Sequence, residues 1–141
     1  MKALFLKALL ITLLMPIAFV VNADVKSDMN NPQMTLVSVM QKALGEGMSV
    51  SDTVKAMISA EPAQSSSIVA TAIVVAPDQY EAIVTAAIDA GASPTSVVAA
   101  ALVAADGENA NEIIAAAKAA SPESEDAINM AASRVLPCTS L

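Results

Sequence analysis

The residues able to do chemistry are few, and their pattern sets limits before any fold is considered. Cys138 is the only cysteine, in the C-terminal stretch Leu136-Pro137-Cys138-Thr139. In an oxidising compartment a single thiol suggests an intermolecular disulfide; the plainer reading is an incidental thiol or a small core residue. The chain has no histidine, so it lacks the commonest general base and the commonest transition-metal ligand. One cysteine cannot build a cysteine-rich zinc site. The four glycines are scattered and form no phosphate-cradling loop.

Acidic pairs do occur, Asp78 with Glu81 and Glu108 with Glu112. Spacings of three and four put each pair on one helix face, where they are expected to be solvated first-turn residues. Weak calcium binding at residues 106–109 or 123–126 is the alternative, although neither stretch has the ligand alternation of an EF-hand loop. Met29, Met34, Met40, Met48 and Met57 lie early in the chain, and thioethers bind Cu(I). Met40 and Met57 fall at apolar positions of the repeat described next, which is ordinary core filling. Tyr80, the one aromatic after Phe19, is expected to pack across a helix pair. No enzymatic activity, cofactor or metal centre is expected from this inventory.

What must position these residues is a repeat. IVATAI at 68–73 recurs as IVTAAI at 83–88 and VVAAAL at 97–102, with looser versions starting at 39, 53, 113 and 128. The steps between the seven starts are 14, 15, 15, 14, 16 and 15 residues. Slots one, two, five and six of each hexad are mostly apolar, which makes one stripe on a 3.6-residue helix. A strand would alternate, and the hexad does not.

A helix breaker stands six residues before six of the seven starts: Gly47, Pro62, Pro77, Gly91, Gly107 and Pro122. Glycine there can end a helix in a left-handed conformation, and proline can open the next one. Ser93 and Ser121, each before a proline, are expected N-caps. About ten or eleven residues per helix and four or five per turn are left in each unit. So short a helix is unstable alone and must bury its stripe against neighbours. The expected fold is all-α, seven units of about 15 residues stacked as an α-solenoid or a compact helical bundle. The valine and isoleucine content makes a β-solenoid the competing expectation.

The ends depart from the pattern. The sixth unit has Lys118 in its last apolar slot, and the seventh has Asn129 and Ser133. That is expected of a terminal repeat with a polar outer face. The first unit keeps Val39, Met40, Ala43 and Leu44, so that end needs a cover, from residues 24–33 or from another molecule. The inner slots drift from Gln41 and Lys42 to Ala99, Ala100, Ala115 and Ala116. The candidate interaction surface is therefore Val39, Met40, Leu44, Ala99, Ala100, Ala115 and Ala116.

Residues 1–23 have the pattern of a secretory signal: Lys2 and Lys7, an apolar run from Ala8 to Val21, and Val21-Asn22-Ala23 before a cleavage between Ala23 and Asp24. The organisation expected is this signal, a polar leader or cap at 24–33, the alanine-rich repeat at 34–136 and a tail at 137–141. The chain from Asp24 onward has five basic and fourteen acidic residues, net −9, which opposes nucleic acid and anionic membranes. Apolar runs of about nine residues after the signal are too short to span a bilayer, so no stable insertion is expected once it is removed. The function expected is that of an exported bacterial structural or interaction protein, periplasmic or extracellular. Its partner would be a protein: itself, or a component of the cell envelope or matrix. A periplasmic module binding a peptide or lipid is the main rival, and a secreted membrane-active peptide a lesser one.

Overall fold

The computed structural model describes residues 18–136, with side chains for residues 24–136. The first part of the expected signal, residues 1–17, and the tail holding Cys138 lie outside the described residues. The fold is all-α. Eight α-helices run through the described residues: α1 (Ala18–Met29), α2 (Leu36–Gly45), α3 (Val50–Ala60), α4 (Ser65–Val75), α5 (Tyr80–Asp89), α6 (Pro94–Ala104), α7 (Ala110–Ala120) and α8 (Glu125–Val135). No strand occurs among them, so the β-solenoid expectation is not supported. Valine and isoleucine fill helix slots here because the stripe they form has helical, not alternating, period.

Each hexad falls on one helix, α2 to α8. Slots one and five are buried in all seven units, from Val39 and Ala43 to Ile128 and Ala132. Slot five is alanine in six units and Met57 in the other. Alanine there lets neighbouring helices approach closely while still filling the space between them. Thr53, the polar slot-one residue, is fully buried, and its hydroxyl donates to the Ser49 carbonyl at 2.8 Å.

Two kinds of turn join the helices. After α2 and α5, Gly47 and Gly91 adopt left-handed φ of +95° and +92°. The Met48 N–H then bonds the Ala43 carbonyl, and the Ala92 N–H the Ala87 carbonyl, closing Schellman caps. Proline makes the other kind. Glu61, Ala76 and Ser121, each before a proline, share φ near −140° and ψ between 70° and 76°. A clash with the proline ring drives a preceding residue out of the helical region, which stops the helix there. After α6 the left-handed residue is Asp106, one before the expected Gly107, and Gly107 and Asn109 also have positive φ.

Every helix packs most extensively on the helix two places along the chain, and less on its immediate neighbour. Odd helices (α1, α3, α5, α7) therefore make one row and even helices (α2, α4, α6, α8) another. No comparable contact joins helices further apart. Within a row like ends meet. The N-terminal parts of α2 and α4 share one hollow, and the C-terminal parts of α4 and α6 share another. The core lies between the rows.

Residues 24–33, expected to be a polar leader or a cap, divide into helix and turn. Residues 24–29 complete α1, Val25 is buried, and Met29 packs on the core. Only 30–33 are turn. The apolar stripe of the first unit supplies the area that makes Val25 and Met29 fold down on it. The expected cleavage bond, Ala23–Asp24, lies inside α1.

Candidate functional site

The outer face of the even row differs in chemistry from that of the odd row. Four large apolar residues are exposed among the described residues: Val37 on α2, Val74 on α4, Val103 on α6 and Met130 on α8. All four are on even helices. Val74 and Val103 are the most open, at 69% and 68%. Both stand at the position just after the hexad, where the other units have Gly45, Ser59, Asp89, Ala119 and Arg134. The two valines thus lie at one level on neighbouring helices.

Neither α4 nor α6 contains a charged residue. Their outward positions are hydroxyl and methyl groups: Ser66, Ser67, Ala70, Thr71, Ser96, Ala99 and Ala100 flank the valines. The Thr71 hydroxyl donates to the Ser67 carbonyl at 2.8 Å, which turns its polar atom to its own backbone. A helix that is apolar nearly all round normally lies inside a protein or at an interface. The odd row keeps charges on every helix, such as Lys55 with Asp89, 3.2 Å apart between α3 and α5.

Beside the valines, the ends of α4 and α6 leave a cleft of about 290 Å³. Ile73, Val74, Pro77, Tyr80, Ala104 and Ala105 line it, with Asp106 and Glu108 on the same wall. The Asn109 side-chain amide donates to the Tyr80 hydroxyl, so Tyr80 ties the start of α5 to the start of α7 and packs on the core. A hollow of about 230 Å³ lies at the other end of the row, lined by Met29, Pro32, Met34, Leu36 and Gln64 among others.

The surface read from sequence divides differently. Val39, Met40 and Ala116 are buried and cannot face a partner. For the first two the reason is α1, which closes over the stripe, and Ala116 faces the core of α7. Leu44 is half-buried against the core. Ala99 and Ala100 are half-buried on α6, inside the even-row face, while Ala115 is exposed on α7 in the odd row. The sequence reading missed Val74 and Val103. Their signal was a valine at the one position after the hexad that every other unit fills with glycine, alanine or a polar residue.

Electrostatics are local. Lys42 bonds Asp28 at 2.7 Å, and this carboxylate holds its ammonium above the usual lysine range, against a smaller opposing effect of burial. Lys118 pairs with Glu125 at 3.1 Å. Glu123 accepts the Ser121 hydroxyl, which holds its carboxyl below the usual range. Among the described residues no three acids converge on a point where a cation could sit. The early methionines are spent on packing: Met40 and Met57 are buried, and Met29, Met34 and Met48 lie against the core. No described helix is long and apolar enough to cross a membrane. No family model, curated protein or solved structure matches this chain.

Proposed function

We propose that this chain is an exported, non-catalytic structural or interaction protein, built as an open α-helical repeat that works through the outer face of its even row. One observation carries the reading: an acidic chain leaves two adjacent, charge-free helices bearing exposed Val74 and Val103. An exposed apolar patch framed by polar residues marks a contact surface more often than an ordinary one. The open stack is supported by the extensive contacts among the described helices, which all join helices one or two places apart along the chain. Export is supported by Lys2, Lys7, the apolar run after them and Val21-Asn22-Ala23.

In the producing cells, a photo-crosslinking residue placed at Val74 or Val103 tests this. Adducts to protein are expected from these positions and not from Ser59 or Ala119, which hold the same repeat position on the odd row. Adducts from both rows alike, or from neither, would sink the reading. N-terminal sequencing of the material outside the cytoplasm is expected to begin at Asp24.

The cleft beside Tyr80 favours a second reading, a binding module. About 290 Å³ is at the lower limit of ligand pockets, room for one side chain rather than a lipid. With Asp106 and Glu108 on its wall, it suits a basic side chain of a peptide. Native mass spectrometry of the isolated protein would show such a peptide co-purifying.

A further inference from the structure

Resting on the interaction reading above, we propose that the occupant of the even-row face is a second copy of this chain. The two copies are related by a two-fold axis that runs parallel to the helices, between α4 and α6.

The argument starts from charge. The chain has a formal net charge of −7, so a second copy is repelled wherever acids meet acids. The centre of the even row is exempt, because α4 and α6 carry no charge at all. A surface without charge favours neither a basic nor an acidic partner, and it removes the main penalty against an identical one.

The row itself is self-complementary. At the position after the hexad the even helices present Gly45, Val74, Val103 and Arg134 in order, and all four are exposed. A two-fold axis between α4 and α6 reverses that order in the partner. Val74 then meets Val103, and Arg134 meets the place of Gly45, the smallest residue in the row. Glu46 follows Gly45, is exposed, and stands where the partner's guanidinium arrives. Each contact is made twice, as an isologous interface requires. An axis across the helices would instead set each valine against the serine-rich start of a helix. The odd row has no such order: a central axis there, between α3 and α5, would set Ser59 against Asp89, and with Ala119 these positions offer no apolar pair.

Size sets the affinity. Four helices about 9 Å apart and about 15 Å long give a face on the order of 500 Å². That is below the roughly 800 Å² per partner of stable complexes, so association in the range of about 100 μM is expected.

Sedimentation velocity tests this, on the form recovered after expressing the full chain, from about 10 μM to about 1 mM. The natural protein is expected to pass from mostly monomer to mostly dimer across the series. The pair Val74→Glu with Val103→Glu should weaken association by more than about tenfold while circular dichroism stays helical, since both sites are open to solvent. Ser59→Glu with Ala119→Glu should leave it unchanged. Arg134→Glu should weaken it by about fivefold, and adding Glu46→Arg should restore it. A natural protein that stays monomeric throughout, or valine variants that associate like it, would overturn the proposal. If the natural protein is monomeric while crosslinking through Val74 captures a different protein, the second copy is refuted and the interaction reading stands. If both measurements are blank, both fall.

Discussion

At the scale of single residues, two glycines two places apart show how differently one residue type can be used. Gly45 ends α2 with ordinary helical geometry, and a β-carbon there would meet nothing within 4 Å. Gly47 meets nothing either, but its φ of +95° lies where a β-carbon is strained whatever the space. Gly45→Ala should therefore stabilise the fold by about 0.5–1 kcal/mol through lower chain entropy. Gly47→Ala should destabilise it by about 1–2 kcal/mol. Urea unfolding of the two variants checks this; equal shifts, or shifts of one sign, would contradict the assignment of the turn. The sequence showed Gly47 as a breaker because it holds a fixed offset from the hexad. It could not show which serines cap. Ser93 precedes Pro94 yet its hydroxyl meets Thr95 at 2.9 Å and bonds no backbone N–H. Ser49 accepts from the Asp52 N–H at 3.0 Å and donates to the Asp52 carboxylate at 2.7 Å. Residue type allows capping, but the side-chain rotamer decides it, and a neighbouring Thr95 or Asp52 draws that hydroxyl one way or the other.

At the scale of elements, the turn type accounts for the uneven step of the repeat. Glycine turns at Gly47 and Gly91 go with steps of 14, and proline turns at Pro62, Pro77 and Pro122 with steps of 15. The single step of 16 belongs to the five-residue turn holding Asp106, Gly107 and Asn109. Both kinds of turn take four residues, so the difference lies in the helix: α2 and α5, which end in Schellman caps, have ten residues, and α3, α4 and α7, which end before a proline, have eleven. The helices and their buried slots were thus legible in the hexad period. The even-row face was not, because a hexad says which stripe is buried and not which of two rows a helix joins. That depends on the parity of the unit, and Val74 and Val103 gain their meaning only when α4 and α6 lie side by side. Two measurements probe the turns. Ser49→Ala should cost about 1 kcal/mol and Ser93→Ala little, because only the first removes an N-cap bond; equal costs would deny the difference. The turn before α8 carries a pH signature. Glu123 has its folded pKa lowered by the Ser121 hydroxyl, so its stabilisation is present at neutral pH and fades as pH falls through the folded value. Glu123→Gln should lower the melting temperature slightly at pH 7 and match the natural protein at the acid end of the carboxylate range. A constant offset across that range would show that the bond contributes through something other than charge.

At the scale of the whole molecule, an open two-row stack and a closed bundle predict different unfolding. In a stack each helix is held by neighbours one or two places away, which is where the described helices make their extensive contacts. Stability is then a sum of local terms, lowest where neighbours run out. The C-terminal end is weakened twice. Helix α8 lacks a successor in the even row among the described residues, and it keeps only Ile128 and Ala132 buried, with Asn129 and Ser133 exposed in the remaining slots. Helices α4, α5 and α6 have neighbours on both sides and bury at least three hexad slots each. Native-state hydrogen exchange should therefore show α8 amides exchanging at least about tenfold faster than those of α5, with α7 in between. Asn129→Val should slow exchange in α8 only where a partner covers it, so in the monomer it should do little. Equal protection from α3 to α8 would mean that the helices unfold as one closed unit. That result would remove the open stack, and with it the reason why one row can offer a continuous face to a second molecule.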